Sequence, residues 1–257
     1  MKLDCILTAC NTNDLYLDFI PLFIKAWTKL YPTIDIKIVL IMDTDIDTIP
    51  HTFQDYKDNI ILFKPIPTIL TAFISQYIRL LYPCILKQYK NGIMITDIDM
   101  IPMNRTYYTK NIETIDNNKF IYLRDVCLKD YKQISMCYNV GLSTTWSSIF
   151  NIKSLEDINK RLIDVYKTIK YDDGYGKSGW GTDQIDFYNY IMAWNTNTNN
   201  FIILNDKTTG FNRLNRNTFM LDNNNVNLIK NGYYSDYHCY RPYNQYKDIN
   251  DKVLDLL

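Results

Sequence analysis

The sequence is short of the residues and charge patterns that mark several protein classes. It contains only 8 glycines in 257 residues, which excludes a collagen-like repeat. Its 28 Lys and Arg residues are balanced by 28 Asp and Glu residues. A neutral chain lacks the general positive field that binds a phosphate backbone, so we do not expect a nucleic-acid partner. The aromatic content of 14% is too high for a disordered chain.

Cysteine and histidine are too scattered for a structural zinc site. The six cysteines form no CxxC pair, and the chain has two histidines. We therefore expect free thiols, most of them buried.

Long hydrophobic runs are also missing. The most apolar stretch, 19–30, contains Pro21, Lys25 and Lys29, whereas a membrane-spanning helix needs about 18 uninterrupted apolar residues. The apolar run before Cys10 is too short for a signal peptide. These features predict a cytoplasmic protein without a signal peptide or membrane span (in the host cytoplasm if the source is viral).

The spacing of apolar residues predicts an α/β fold. Strands are predicted at 3–9, 36–42, 60–63 and 93–96, and helices at 15–30 and 70–89. Asp14 is the expected N-cap of the first helix, and Pro83 should kink or split the second. This alternation indicates a mostly parallel central sheet flanked by helices, with ligands at the carboxyl ends of its strands.

The second half of the chain has a more mixed pattern. Strands are predicted at 120–123, 138–144 and 201–204, and helices at 155–170 and 183–193. Polar loops are predicted at 195–200 and 223–225. No repeat of 20 to 50 residues is visible, so a single domain over 1–257 is the simplest interpretation.

The strongest chemical signal lies directly after the predicted strand 93–96. Strand alternation would place Asp97 and Asp99 on one side and Ile98 on the other. Two adjacent carboxylates repel each other unless a cation lies between them, and hard oxygen ligands favour Mg²⁺ or Mn²⁺. The alternative is a pair of loop aspartates without a ligand.

A second acidic cluster, at Asp43, Asp45 and Asp47, follows the strand 36–42. As a calcium-binding EF-hand loop it would need Gly at position six and Glu at position twelve, where the chain has Thr48 and Gln54. We interpret this cluster as a solvated turn.

Five short elements occur in a characteristic order along the chain. They are Thr8 with Thr12-Asn13-Asp14-Leu15-Tyr16, Arg79, Asp97-Ile98-Asp99, Tyr138-Asn139-Val140-Gly141-Leu142, and Gly181-Thr182-Asp183-Gln184. In this order they resemble GT-A-fold, nucleotide-sugar-dependent glycosyltransferases, most closely the glycogenin-like family 8. That family usually ends its site with a further segment, H-x-x-G-x-x-K-P-W, and the counterpart here, His238-Cys239-Tyr240-Arg241-Pro242-Tyr243, departs from it by having no Gly and by having Arg in place of Lys. Segment 179–184 is also similar to the W-G-x-E-D element of inverting GT-A enzymes.

The resemblance implies a single, Rossmann-like GT-A domain with a nucleotide-binding half at 1–103 and an acceptor-binding half at 104–257. It implies transfer of a sugar from a nucleoside diphosphate sugar, with UDP as the carrier, to a glycan, protein or small-molecule hydroxyl. The implied metal is Mn²⁺ or Mg²⁺, held by Asp97, Asp99 and His238. The implied sugar-nucleotide contacts are Thr8, Asn13, Tyr16, Arg79, Asp97, Asn139 and Arg241.

The resemblance also implies catalytic roles for Asp183 and Gln184. The motif order favours retention at the anomeric carbon, although a carboxylate at position 183 could serve an inverting enzyme as a base. Without a catalytic role, Asp183 would be a helix N-cap. Trp180 is either a platform for the acceptor or a buried packing residue.

Two other functions stay open at this point. A nucleotidyltransferase also combines an α/β sheet with carboxylate-bound metal, but the first turn lacks a Gly-rich phosphate loop. A non-catalytic sugar-nucleotide-binding module is the third interpretation.

Overall fold

The computed structural model describes residues 1–45 and 47–257 of this chain. Residue 46, inside the acidic cluster at Asp43, Asp45 and Asp47, lies outside the described residues. The strands are β1 (Leu3–Asn11), β2 (Asp35–Ile41), β3 (Ile60–Phe63), β4 (Gly92–Ile95), β5 (Met100–Pro102), β6 (Phe120–Tyr122), β7 (Asn139–Gly141), β8 (Phe201–Ile203), β9 (Arg213–Asn215) and β10 (Asp236–His238). The helices are α1 (Ile20–Leu30), α2 (Thr71–Leu81), α3 (Tyr107–Lys110), α4 (Leu128–Tyr131), α5 (Ser143–Phe150), α6 (Leu155–Thr168), α7 (Thr182–Thr198), α8 (Asp206–Thr209), α9 (Asn223–Lys230) and α10 (Lys247–Leu256).

The predicted fold class is confirmed, because seven described strands form a mostly parallel sheet in the order β3-β2-β1-β4-β7-β6-β8. The pairs β1–β2, β2–β3, β1–β4 and β6–β8 are parallel. Strand β7 is antiparallel to both of its neighbours. The second half is therefore mixed, as expected.

Side-chain alternation along β1 produces a core on each face of this sheet. Ile6 packs into a core that contains Phe23 and Trp27 of α1. Leu7 packs into the opposite core with Phe73 of α2. Residues i and i+1 of a strand point to opposite faces, so a strand covered by helices on both sides is apolar throughout.

A smaller three-stranded sheet stands beside the main one, in the order β5-β10-β9. Strand β10 is antiparallel to β5, with His238 opposite Met100. It is parallel to β9, with His238 opposite Asn215. This register brings three distant chain segments together: the one just before β5, the end of β10 and the one just after β9.

The first predicted helix is shorter than expected. A 3₁₀ turn occupies Leu17–Phe19, and α1 begins at Ile20 with Pro21 in its first turn. Proline has no backbone N–H and fits the first turn of a helix, so Pro21 marks the start and Asp14 is not an N-cap. The second helix is split as predicted: α2 ends at Leu81 and a 3₁₀ turn that contains Pro83 follows.

Three predictions in the second half were wrong. The strand predicted at 138–144 ends at Gly141, because α5 begins at Ser143. The loop predicted at 195–200 continues α7 to Thr198, where Asn199 ends the helix in the left-handed conformation. The loop predicted at 223–225 opens α9, which the Asp222 side chain caps by accepting from the Asn225 N–H at 2.8 Å.

Two further expectations can be compared with the structure. All six cysteines are free, and all but Cys127 are buried, which confirms the prediction of buried thiols. Among the helices of residues 1–45 and 47–257, none combines the length and apolar character that crossing a membrane requires.

Candidate active site

A cavity of about 800 Å³ opens at the carboxyl ends of β1 and β4. The order of the sheet reverses between these two strands, because β2 follows on one side of β1 and β4 lies on the other. Ligands of open α/β sheets bind at such a point. Residues Ala9 to Asn11 at the end of β1 line the cavity, as does Asp97, two residues after the end of β4.

Most of the site residues predicted from the sequence line this cavity. They are Asn13, Tyr16, Arg79, Asp97, Asp99, Asp183, Gln184, His238 and Arg241.

Thr8 and Asn139 are the exceptions and require a correction. Both are completely buried within strands of the sheet, and neither lines the cavity. The Asn139 amide donates to the Ser135 carbonyl at 2.8 Å, while the Thr8 hydroxyl has no partner among the described residues. Direct contact of these two side chains with a ligand in the cavity is therefore not supported.

Asp97 and Asp99 lie in a turn rather than in a continuous strand. Strand β4 ends at Ile95, and the Met100 N–H donates to the Asp97 carbonyl at 3.2 Å. The alternation argument was therefore wrong, although both carboxylates line the cavity. They also contact different cationic side chains.

Arg79 connects Asp97 to Asp183. This arginine lies on α2 with a side chain only 8% exposed. One guanidinium nitrogen pairs with the Asp97 carboxylate, and the other lies 3.4 Å from Asp183 Oδ2. A buried cation between two carboxylates offsets their mutual repulsion. Asp97 is the more exposed of the two, with a side-chain exposure of 28%.

Asp183 is in the first turn of α7 and is 4% exposed. Burial raises the pKa of its carboxyl to about 7, although the Arg79 guanidinium and the Gln184 N–H both oppose this shift. A carboxyl group that titrates near neutrality can exchange a proton with a bound reactant. Its side chain accepts from the Gln184 N–H at 2.9 Å and forms no N-cap hydrogen bond, since the N-cap of α7 is Gly181.

Asp99 is the centre of a denser cluster of charges. Its Oδ2 atom lies 2.9 Å from Arg216 Nη1, 3.4 Å from His238 Nε2 and 3.5 Å from Arg241 Nη1. Although burial alone would raise the pKa of Asp99, the His238 hydrogen bond and the two arginine charges hold it well below its usual range. Asp99 is therefore ionised throughout the neutral range.

The small sheet explains how this cluster assembles. The Cys239 N–H donates to the Asp99 carbonyl at 2.9 Å, which continues the β5–β10 pairing. The Arg216 N–H donates to the His238 carbonyl at 3.2 Å, which continues the β9–β10 pairing. Arg216 belongs to no motif, and only strand pairing brings it to Asp99.

Tyr16 and Arg241 form one wall of the cavity. The Arg241 guanidinium lies 5.2 Å from the centre of the Tyr16 ring and also donates to its hydroxyl. Arginine binds aromatic faces and anionic oxygens, so this pair suits a nucleobase or a phosphate.

The second acidic cluster has other partners. Asp43 accepts from the hydroxyls of Thr12 and Thr71. The exposed carboxylates of Asp45 and Asp47 pair with Lys64 at 2.8 and 2.9 Å. None of these three aspartates lines the cavity.

The cavity lining suits a divalent metal by its chemistry but is not arranged around one point. Asp99 Oδ2 and His238 Nε2 are adjacent, and Asp97 lines the same cavity. Carboxylate oxygen and imidazole nitrogen are ligands that Mn²⁺ accepts. Within the described residues, however, no three ligating side chains already form a metal cluster. A metal would have to replace arginine at both aspartates.

Comparisons with known proteins do not assign a function to this chain. No protein-family model and no curated protein matches this chain. Among solved structures, a glycosyltransferase involved in the glycosylation of the major capsid of PBCV-1 is similar to this chain. The alignment covers 99% of this chain and 100% of that protein, with 8% sequence identity and a TM-score of 0.46. A similarity of this size carries no weight for the activity of this chain.

Proposed function

We propose that this protein is a metal-dependent glycosyltransferase that moves a sugar from a UDP-linked donor to an acceptor hydroxyl. The observation that carries the proposal is the set of charged groups in the cavity at the switch point of the sheet. Asp97, Asp99 and His238 lie there with three arginines. One of these, Arg79, contacts both Asp97 and Asp183. The cavity volume of about 800 Å³ is within the range of small-molecule sites.

The charge balance of the lining supports a requirement for metal. The cavity is lined by three arginines and four aspartates: Arg79, Arg216, Arg241, Asp97, Asp99, Asp173 and Asp183. Such a lining has no surplus of positive charge for a diphosphate. A divalent cation that takes the carboxylates would release arginines to bind the phosphate oxygens.

Asp97, Asp99 and His238 are the residues that would hold the metal. Bound Mn²⁺ or Mg²⁺ supplies a Lewis acid that stabilises the charge of the departing diphosphate. In our proposal Arg79, Arg216 and Arg241 bind diphosphate oxygens, Tyr16 stacks on the nucleobase, and Asn13 hydrogen-bonds the nucleotide.

We propose retention, which the motif order favours. The bond between the anomeric carbon and the diphosphate oxygen breaks, and a bond to the acceptor oxygen forms on the same face. The acceptor proton passes to the departing phosphate oxygen. Asp183 stabilises the positive charge that develops on the sugar, and Gln184 orients a hydroxyl.

Inversion is a second candidate, and the raised pKa of Asp183 favours it. A base acts best when its pKa lies near the working pH, and burial raises the pKa of Asp183 to about 7. In that case Asp183 takes the acceptor proton while the acceptor attacks from the face opposite the diphosphate. Proton NMR of the fresh product separates the two candidates, since retention conserves the donor anomer.

The function is tested by incubating the protein with UDP-linked and GDP-linked sugars, in Mn²⁺ or in EDTA. We expect slow release of the nucleoside diphosphate from one donor in Mn²⁺ and none in EDTA. Release of pyrophosphate from a nucleoside triphosphate and a sugar phosphate would instead identify a nucleotidyltransferase. Metal-dependent binding without turnover, even when acceptors are supplied, would identify a binding module.

Replacing Arg216 with Ala tests the exchange of ion pairs. Because Arg216 lies 2.9 Å from Asp99, its removal should free that carboxylate, so that Mn²⁺ alone binds more tightly. We expect the affinity for UDP in saturating Mn²⁺ to fall about tenfold, through loss of a charge-assisted contact. Calorimetry measures both affinities. Arg105→Ala, on the surface, is the control, and a parallel change in both affinities would contradict the exchange.

A further inference from the structure

We propose that the cavity wall formed by residues 173–184 is an acceptor subsite for an uncharged sugar ring. This inference rests on the proposed glycosyl transfer and names the class of acceptor. The wall consists of Asp173, Tyr175, Trp180, Asp183 and Gln184.

Two aromatic side chains give the wall an apolar surface. Trp180 is half-buried and packs on Tyr171 with ring centres 6.4 Å apart and planes 22° apart. Tyr171 is itself held by a hydrogen bond from its hydroxyl to Gln76 at 2.8 Å. Tyr175 is 87% exposed although it lines the cavity. The C–H faces of a sugar ring are apolar, and such faces pack against aromatic rings.

The same wall has free hydrogen-bonding groups. In segment 173–184 the side chains that form hydrogen bonds are those of Ser178, Thr182 and Asp183. The other polar side chains of the wall are those of Asp173, Tyr175, Trp180 and Gln184, and they make no side-chain hydrogen bond within the described chain. Together they offer an indole donor, a phenol, an amide and a carboxylate, which match the donors and acceptors of sugar hydroxyls.

The charges of the wall select against anionic acceptors. Asp173 and Asp183 both line it, and the wall contributes no Lys or Arg to the described lining. The neighbouring Arg79 lies between Asp97 and Asp183 and, in the proposed function, binds the donor diphosphate. A phosphate or carboxylate on the acceptor would therefore meet like charge without a free cation, whereas a neutral sugar would not.

Backbone geometry holds the wall in place next to the reacting groups. Gly179 has a φ of +71°, and a Cβ atom there would lie 2.5 Å from the Lys170 carbonyl oxygen. The chain can therefore turn at this point only with glycine, and Trp180 follows two residues before the start of α7. Asp183, in the first turn of α7, then lies three residues from the platform, so a ring on Trp180 is near the proposed reaction centre.

The inference is tested by saturation-transfer NMR with the full chain in UDP and Mn²⁺. The probes are neutral methyl glycosides of glucose, galactose and mannose, with glucose 6-phosphate and glucuronic acid as charged counterparts. We expect saturation of at least one neutral glycoside and none of the charged sugars. Trp180→Ala should weaken that binding about five- to tenfold through loss of stacking. Tyr175→Ala should act in the same direction, and its exposure makes its removal harmless to packing.

Tyr233→Ala is the matched control, because Tyr233 is half-exposed and does not line the cavity. UDP binding and donor hydrolysis, measured in every variant, report on the proposed function separately and should not change in the Tyr233→Ala control. If the unaltered protein does not bind UDP, the glycosyltransferase proposal is overturned. Two outcomes, each with UDP binding intact, would overturn the acceptor subsite alone. One is that neutral glycosides bind the Trp180→Ala and Tyr175→Ala variants as tightly as the unaltered protein. The other is that the protein prefers glucose 6-phosphate.

Discussion

Replacing Asp99 with Asn is expected to abolish the Mn²⁺-dependent binding of UDP, with a loss of affinity of about 100-fold or more. Asp99 is the carboxylate at which His238, Arg216 and Arg241 converge. Its neutralisation removes one proposed metal ligand and leaves two half-buried arginines, Arg216 and Arg241, without their anion. Calorimetry of UDP binding, with and without Mn²⁺, measures the effect.

The second acidic cluster provides the control for this experiment. Asp45 is a surface residue paired with Lys64, so Asp45→Asn should leave UDP affinity unchanged. Circular dichroism establishes that the Asp99→Asn variant is folded, and His238→Ala offers a milder change at the same site. Unaltered Mn²⁺-dependent affinity in both the Asp99→Asn and the His238→Ala variants would refute the metal site.

Replacing Asp183 with Asn is expected to lower sugar transfer by about 100-fold or more, while UDP binding changes less than about twofold. Asparagine keeps the shape of the side chain and its ability to accept a hydrogen bond. It removes the negative charge that either stabilises the sugar cation or takes the acceptor proton. Transfer rates and UDP affinities measured side by side distinguish this role from a structural one, for which both would fall together or neither would change.

The same substitution should raise stability at alkaline pH. The native pKa of Asp183 is raised to about 7 from the ordinary 3.8, so the native state holds this proton more tightly than the unfolded state does. Stability therefore falls as the pH rises from about 4 to about 7, by up to about 4 kcal/mol for this single group. The Asp183→Asn variant has no carboxyl at this position, so its stability should not fall in this way.

Thermal unfolding at pH 5 and pH 8 measures this difference. We expect Asp183→Asn to melt at a higher temperature than the unaltered protein at pH 8, and by a smaller margin at pH 5. Asp164→Asn, an exposed position on α6, should show no such pH-dependent gain. A lower melting temperature of Asp183→Asn at pH 8 would mean that the ionic contact with Arg79 outweighs burial.

Residue patterns along the chain were sufficient to predict the first four strands of the fold. Strands β1 to β4 are four or more residues long and mostly apolar, so each can be recognised as an apolar run without knowledge of its neighbours. Proline carries local information for a similar reason, since its missing N–H affects the helix in which it stands. Pro83 was therefore interpreted correctly as the break in the second helix. Pro21 likewise marks the start of α1 at Ile20, but we had predicted that start five residues too early.

The three strands of the small sheet were not recognised in this way. Strands β5, β9 and β10 are three residues each, and β9 and β10 contain only one hydrophobic residue apiece, so only their pairing defines them. That pairing decides the contents of the site. It brings Arg216 to Asp99, although nothing in the sequence around Arg216 distinguishes it from other surface arginines.

The sequence by itself determined the type of sheet, the edge at which the cavity opens and most of the polar residues found there. These depend on local alternation and on the order of short elements along the chain. Only the tertiary structure decided which of those residues face the cavity and what each one contacts. Thr8 and Asn139 are buried in the sheet, Asp97 and Asp99 have separate arginine partners, and Asp183 is held by Arg79. The physical reason is that burial and ion pairing are set by residues distant in the chain, which a linear pattern does not contain.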